Sequence, residues 1–340
     1  SILIRTTGYS FMAQAKGETY AIGAMNMNKN INLGSNDKLT YSDAYRMIYN
    51  ILEAPYYEKL SAGDTITLAD DIDRTVMGYF LNTYKERGIL TAAGTVSLTD
   101  SKYDADYAII SDTEYKCTLD YVEDYVGYKV EFYYRSDGKD DDALLAAYPY
   151  MNDLLSIDAA NLVTGDASYG IGKIVYHTEK GKEKKAEIEP CADMIYNGEA
   201  YPDFDKTTLS PKEGKITLVD NDTDGIYDVI IMEEYKNIVV KNANTSDRII
   251  IGMDNSKLDL DISSGQEVII LGSDGSYYEF GDIMAGDVLT VYQSKSKKSA
   301  VVYVTSGVIF DEITSIVDKD ERIVVSAGGK EYEIDRNFSS

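Results

Sequence analysis

Two hydrophobic periods divide the chain. Up to about residue 88, apolar positions recur every three or four residues; beyond it they alternate. Residues 41–53, YSDAYRMIYNILE, place Ala44, Met47, Ile48, Ile51 and Leu52 at helical spacing. Thr40 and Asp43 form a capping pair at the start of that helix, and Pro55 stops it. A shorter helix is predicted from Glu18 to Met27, with Tyr20, Ala21, Ala24 and Met25 on one face. A third is predicted over 69–87, with Ile72, Val76, Tyr79, Phe80 and Thr83 as its inner stripe. Asp70, Asp71 and Asp73 stand at its start, Lys85 and Arg87 at its end, and Gly88 closes it, as the helix dipole favours.

After Gly88 the segments GILTAAGTVSL, YKVEFYYR, GKIVYHTEK, KAEIEP, KITLVD, YDVIIMEEY, RIIIGM, QEVIILG, DVLTVYQS, AVVYVTS and RIVVSA read as strands. They are rich in Val, Ile and Tyr and are separated by Gly, Asp, Asn and Ser clusters. One short helix is predicted at Thr118–Val126. TEKGKEKKAE and QSKSKKSA place lysines at exposed turn tips. Residues 88–135 and 307–336 share a Gly-led apolar strand followed by a strand carrying Glu-Tyr, which suggests an internal repeat. On that reading, either the natural polypeptide continues beyond Ser340 or its last module is short. The expected class is α+β, mainly β: a small helical module followed by two or three antiparallel sandwich or barrel modules. The expected division is 1–57 helical, 58–88 a connecting helical segment, 89–240 a β domain, 241–306 a β module and 307–340 the start of a further one.

Composition narrows the function. Over 340 residues, 33 basic and 58 acidic side chains give a net charge of −25, and 44% of positions are apolar. That apolar share supports a buried core. The acidity argues against nucleic acid or an anionic membrane as partner. No apolar run is long enough to span a membrane. SILIRTTGYS lacks a signal peptide's basic start and apolar block, so either a leader has been removed or this is a piece of a longer chain. One His and two Cys leave no room for a multi-His or Cys-rich zinc site. Cys117 and Cys191 read as buried thiols, although their number permits one disulfide. Tyrosine, 30 residues, suits half-buried pleated faces with its hydroxyl kept wet.

The sharpest motif is Asp220-Asn221-Asp222-Thr223-Asp224-Gly225-Ile226-Tyr227-Asp228, D-x-D-x-D-G-x-x-D. Alternate carboxylates in a tight turn converge on one point, and a hard cation such as calcium takes about six to eight oxygens. Asp220, Asp222, Asp224 and Asp228 would offer side chains and Ile226 its carbonyl. The twelfth place holds Ile231 rather than Glu, so this is not an EF-hand. The motif resembles the calcium loop of integrin-type FG-GAP repeats. An ordinary acidic turn is the alternative.

Other motifs fail. Asp137–Asp142 and Asp100–Asp106 read as solvated turns. GDASYGIGK at 165–173 lacks the first Gly and the Ser/Thr of a phosphate loop. His177 reads as an exposed or cross-strand residue, and no hydrolase signature is present.

The N-terminal region resembles the surface-layer homology (SLH) modules of Gram-positive envelope proteins. Gly8-Tyr9, Met12-Ala13, Tyr20-Ala21, Leu39–Ala44 and Met47–Leu52 carry this resemblance. The β segments are similar to modules that follow such regions in clostridial surface proteins. The resemblance implies a non-enzymatic structural or adhesive protein of the cell wall, extracellular, with an anionic wall polymer as partner. It also implies self-association in a surface lattice or filament. The polymer-binding Arg of the family's T-R-A-E is replaced here by Tyr41, and its Glu by Asp43, so this copy lacks the cationic fork that an anionic sugar wants. A ligand-binding adhesin module and the accessory region of an envelope polysaccharide hydrolase are the rival classes.

Overall fold

The computed structural model describes residues 4, 7, 9–31, 39–59, 66–68, 75–99, 104–139, 141–163, 172–205, 208–260, 262, 265–307, 311–319 and 322–334. It is mainly β with a few short helices, as the alternation predicts. Chain contacts define two units, one of 1–88, 106–122 and 130–148, the other of 89–105, 123–129 and 149–340.

Among the described residues, the first unit opens with α1 (Ser10–Lys16), α2 (Glu18–Ala24) and α3 (Tyr41–Leu52). Tyr9, Met12, Ala21, Met25 and Ile51 pack together between them. Thr40 and Asp43 make the expected capping box on α3. Asn50 is buried on α3 and donates to the carbonyls of Met27 and Lys29, satisfying backbone groups that the chain bend leaves open. Ile48, placed by its spacing on the inner face, is exposed.

The helix predicted over 69–87 is not formed as such. Residues 69–74 lie outside the described residues. Helix α4 covers Val76–Leu81 only, capped by Thr75, whose hydroxyl accepts from the Gly78 N–H. Asn82 then turns left-handed (φ 49°) and the chain extends. Lys85 and Arg87 therefore lie two apart on one strand face, where both meet Glu131, rather than at a helix end.

The strands begin with a hairpin, β1 (Tyr57–Lys59) and β2 (Ile66–Leu68). A barrel-like sheet follows, built from β3 (Thr83–Ala93), β4 (Val96–Ser97), β5 (Tyr107–Ile110), β6 (Thr113–Lys116), β7 (Lys129–Arg135) and β8 (Ala143–Pro149). Its order is β4-β3-β5-β6-β8-β7, with β3 also paired to β7. Setting aside β4, the strands run 1-2-3-5-4-1, and the 3–5 pairing is parallel. A 3-10 turn at Asp120–Tyr125, inside the predicted Thr118–Val126 helix, precedes the fourth strand.

The same order recurs. Strands β9 (Asp153–Asp158), β10 (Lys173–His177), β11 (Glu183–Tyr196), β13 (Gly214–Asp220) and β14 (Tyr227–Asn244) form the second copy; β12 (Glu199–Ala200) is a short addition to β11. β11 runs parallel to β14, and a bridge between Leu162 and Tyr176 closes the ring. The third copy starts in the second half of β14. It continues through β15 (Ile249–Gly252), β16 (Lys257–Asp259), β17 (Glu267–Gly272), β18 (Val288–Gln293) and β19 (Ser299–Thr305). Its third strand is split: β16 pairs with β15, while β17 runs parallel to β19. Finally β20 (Ile313–Lys319), β21 (Arg322–Ala327) and β22 (Lys330–Ile334) follow the antiparallel order of a first, second and third strand. The Glu-Tyr pairs that suggested a repeat, Glu114-Tyr115 and Glu331-Tyr332, both fall on third strands. The ring order is that of five-stranded Greek-key barrels of OB type.

Strand β14 binds two of these cores into one piece. Ile230 and Met232 pack in the second barrel, with Ile174, Met194, Ile216 and Leu218. Ile238 and Val240 pack in the third, with Ile250, Leu289 and Val302. The boundary expected at residue 240 falls inside this strand.

Candidate metal centre

The acidic motif is the turn between β13 and β14 of the second barrel. Asp220 ends β13, buried, and both its oxygens accept backbone N–H groups: Oδ1 from Thr223 at 2.6 Å and Oδ2 from Gly225 at 2.9 Å. Gly225 sits at φ +92°, which lets the turn close under that carboxylate. Asp222 Oδ1 accepts from the Asp224 N–H at 3.1 Å, and Asp224 Oδ1 from the Ile226 N–H at 2.8 Å. These local bonds stack the three carboxylates on one side of the turn, with one oxygen from each inside 4.8 Å of the others. Asp222 and Asp224 are exposed, so water or a cation reaches them readily.

Asp228 is not a member of that triad. Its Oδ2 accepts from the Asn221 N–H at 2.6 Å. Burial pushes its carboxyl above the ordinary range, and the charges of Asp222, Asp220 and Asp224 add to that against the Asn221 bond. Of the five predicted ligands, the structure thus gathers Asp220, Asp222 and Asp224, holds Asp228 by backbone, and uses the Ile226 N–H as a donor within the loop. The exposed carboxylates of Asp222 and Asp224, beside the buried and backbone-held Asp220, are the donor type that a hard cation takes, the rest of its shell coming from carbonyls and water.

Asn221 is the residue that the motif reading passed over. It is buried; its Oδ1 accepts from the Lys129 N–H at 3.0 Å, and its Nδ2 donates to the Gly127 carbonyl at 3.1 Å. The acidic turn is therefore fixed to the segment that opens β7. Nothing in an Asn between two Asp residues distinguishes this anchor from an exposed turn residue.

The remaining sequence candidates disperse. Cys117 is buried but Cys191 is exposed on β11, which corrects the expectation of two buried thiols; both are free. His177 is exposed at the end of β10, opposite Glu183. Residues 165–171 of the phosphate-loop look-alike lie outside the described residues. Asp137 caps its own turn through the Lys139 N–H, and Asp141 accepts from the Tyr107 hydroxyl. Tyr41 is 87% exposed at the start of α3. Hydrogen bonds from Thr40 hold the Asp43 carboxyl below its ordinary range. Among the described residues, no helix is long and apolar enough to cross a membrane.

No family model matches the chain, and no curated protein matches it. Among solved structures it is similar to a crystal structure of a multidomain protein with nucleic acid binding domains from Streptococcus pneumoniae, at 12% identity. That match covers 67% of this chain and 75% of the other, with a TM-score of 0.14, at which the likeness carries no argument.

Proposed function

We propose that this chain is a non-enzymatic structural protein of a Gram-positive cell surface, stiffened by calcium. The observation that carries the reading is β14. One uninterrupted 18-residue strand begins beside the acidic turn and runs through two barrel cores. A strand shared between cores resists bending better than a loop linker, which suits a stalk or lattice element. The acidic turn sits where that strand enters the first of the two cores, so a cation held by Asp220, Asp222 and Asp224 would stiffen the strand at its root. The net charge of −25 suits a calcium-rich exterior and argues against nucleic acid, even though barrels of this order bind nucleic acids and sugars elsewhere. Location at the wall rests on the SLH resemblance. With Tyr41 in the Arg place, this module would serve packing and assembly rather than polymer contact.

Calorimetric titration with calcium tests the reading. Heat at micromolar to millimolar calcium, a raised melting temperature and loss of both in Asp222→Asn/Asp224→Asn support it. No heat at millimolar calcium with an unchanged melting temperature overturns it.

A further inference from the structure

A second feature of β14 lies between the two cores. Residues two apart on a strand share a face. On the face that gives Ile230 and Met232 to one core and Ile238 and Val240 to the next, the intervening positions are Glu234 and Lys236. They line a cleft of about 570 Å³, to which Lys212, Lys295, Lys297 and Tyr196 also contribute. Four lysines thus converge in a chain with nearly two acids for every base.

Glu234 is already engaged. The Tyr196 hydroxyl donates to it, the Lys212 N–H donates to it at 3.2 Å, and the Lys295 ammonium lies 3.7 Å away. Lys295 also stands 4.1 Å above the Tyr196 ring. Glu213 and Asp254 face the cleft too, but Asp254 accepts from the Ser256 N–H within its own turn. Among the described residues, the ammonium groups of Lys212, Lys236 and Lys297 have no hydrogen-bond or ion-pair partner. Burial, and then the charge of Lys297, hold Lys236 below the ordinary lysine range, with Asp254 opposing. The cleft thus sets four lysines against the three carboxylates of Glu213, Glu234 and Asp254, a surplus of one positive charge, with Lys236 and Lys297 close enough to oppose each other.

We infer that this cleft binds a compact phosphoryl-bearing ligand, with Lys212, Lys236 and Lys297 as its cationic donors and the Tyr196–Glu234–Lys295 cluster as its fixed wall. Lysines act as point charges on phosphate, and three of them match the several oxygens of a phosphoryl group. The volume limits the occupant to about the size of a phosphorylated disaccharide.

The test titrates the full chain with inorganic pyrophosphate and with glucose 1-phosphate at matched ionic strength. Binding of either at millimolar concentration or tighter supports the inference, and stronger binding of the sugar ester identifies a phosphosugar as the source. Lys236→Met/Lys297→Met should weaken binding at least tenfold while leaving the ligand-free melting temperature unchanged or higher, because two like charges are removed. Lys180→Met/Lys182→Met, on the β10–β11 turn, should leave it unchanged. No binding below 10 mM, or equal losses in the two double variants, would overturn the inference.

Discussion

Lys85 Nζ lies 2.5 Å from Glu53 Oε1, tying β3 to the residue that follows α3. Glu131 Oε1 is 2.9 Å away on β7, and the Tyr49 hydroxyl 3.1 Å. The ammonium also stands 5.6 Å from the ring centres of both Tyr49 and Tyr133. Burial pushes Lys85 down, but its bonds to Glu53, Glu131 and Tyr49 outweigh this, and its proton is held well above the ordinary lysine range.

Lys85→Met should therefore leave Glu53 without its cation and Glu131 with Arg87 alone. The cluster is about a quarter exposed, so the loss falls between surface and buried pairs, at about 2 kcal/mol. Adding Glu53→Gln should restore part of it. Urea unfolding of the three proteins measures this; a loss under about 0.5 kcal/mol for Lys85→Met would refute the clamp.

Glu131 gives a pH dependence. Burial pushes its carboxyl up, but bonds from Lys85 and Arg87 prevail and hold it below the ordinary range. A folded pKa below the unfolded value means stabilisation present above the unfolded value, about 4.3, and lost as pH falls through the folded one. Lys85 has the opposite sign: its contribution is complete below about 10.4 and is lost as pH rises beyond that. Between these limits both contributions stand. Glu131→Gln should flatten the acid limb of a melting-temperature profile below about pH 4.5. An unchanged acid limb would show that Glu131 is not responsible.

The strands were legible because alternation survives in half-buried sheets: β7, β18 and β19 follow the segments YKVEFYYR, DVLTVYQS and AVVYVTS to within one residue at each end. Helix α3 was legible for its cap and period. The failure at 69–87 is instructive. Lys85 and Arg87 near an apparent helix end look like dipole partners, but their true partner, Glu131, is 44 residues from Arg87 along the chain. Long-range pairing leaves no local period. The barrel order escaped for the same reason, since parallel contacts such as Met194 with Ile230 depend on a connection that no local pattern shows. In the acidic loop the triad was legible and the anchor was not.

That anchor gives a third expectation. Asn221→Ala removes the donor to Gly127 O and one of two acceptors for the Lys129 N–H, which Asn152 Oδ1 also serves at 2.8 Å. The buried Gly127 carbonyl then goes unpaired, at a cost of about 1–3 kcal/mol. The loop also loses its fixed position, so calcium affinity should fall several-fold although no carboxylate is touched. Asn221→Ser, which keeps a polar group but is too short to reach both partners, should behave alike. Wild-type calcium affinity in Asn221→Ala would separate the loop's geometry from its anchor.

Two glycines of the second barrel test its register. Gly214 pairs with Glu234 where β13 begins, at φ +108°, and a Cβ there would come within 1.8 Å of the Glu233 carbonyl oxygen. Backbone cannot yield as a side-chain tip can, so Gly214→Ala must open the β13–β14 pairing. The expected cost is about 3 kcal/mol or more. Gly225, at φ +92° in the acidic turn, has open space around a Cβ. Gly225→Ala carries conformational strain alone, about 1–2 kcal/mol. Urea unfolding should order the two variants in that way, and Gly214→Ala should also show reduced amide protection along β13 and the first half of β14. Equal stability of the two would mean that β13 does not meet β14 in the Gly214–Glu234 register, and with it the wall of the lysine cleft would be misplaced.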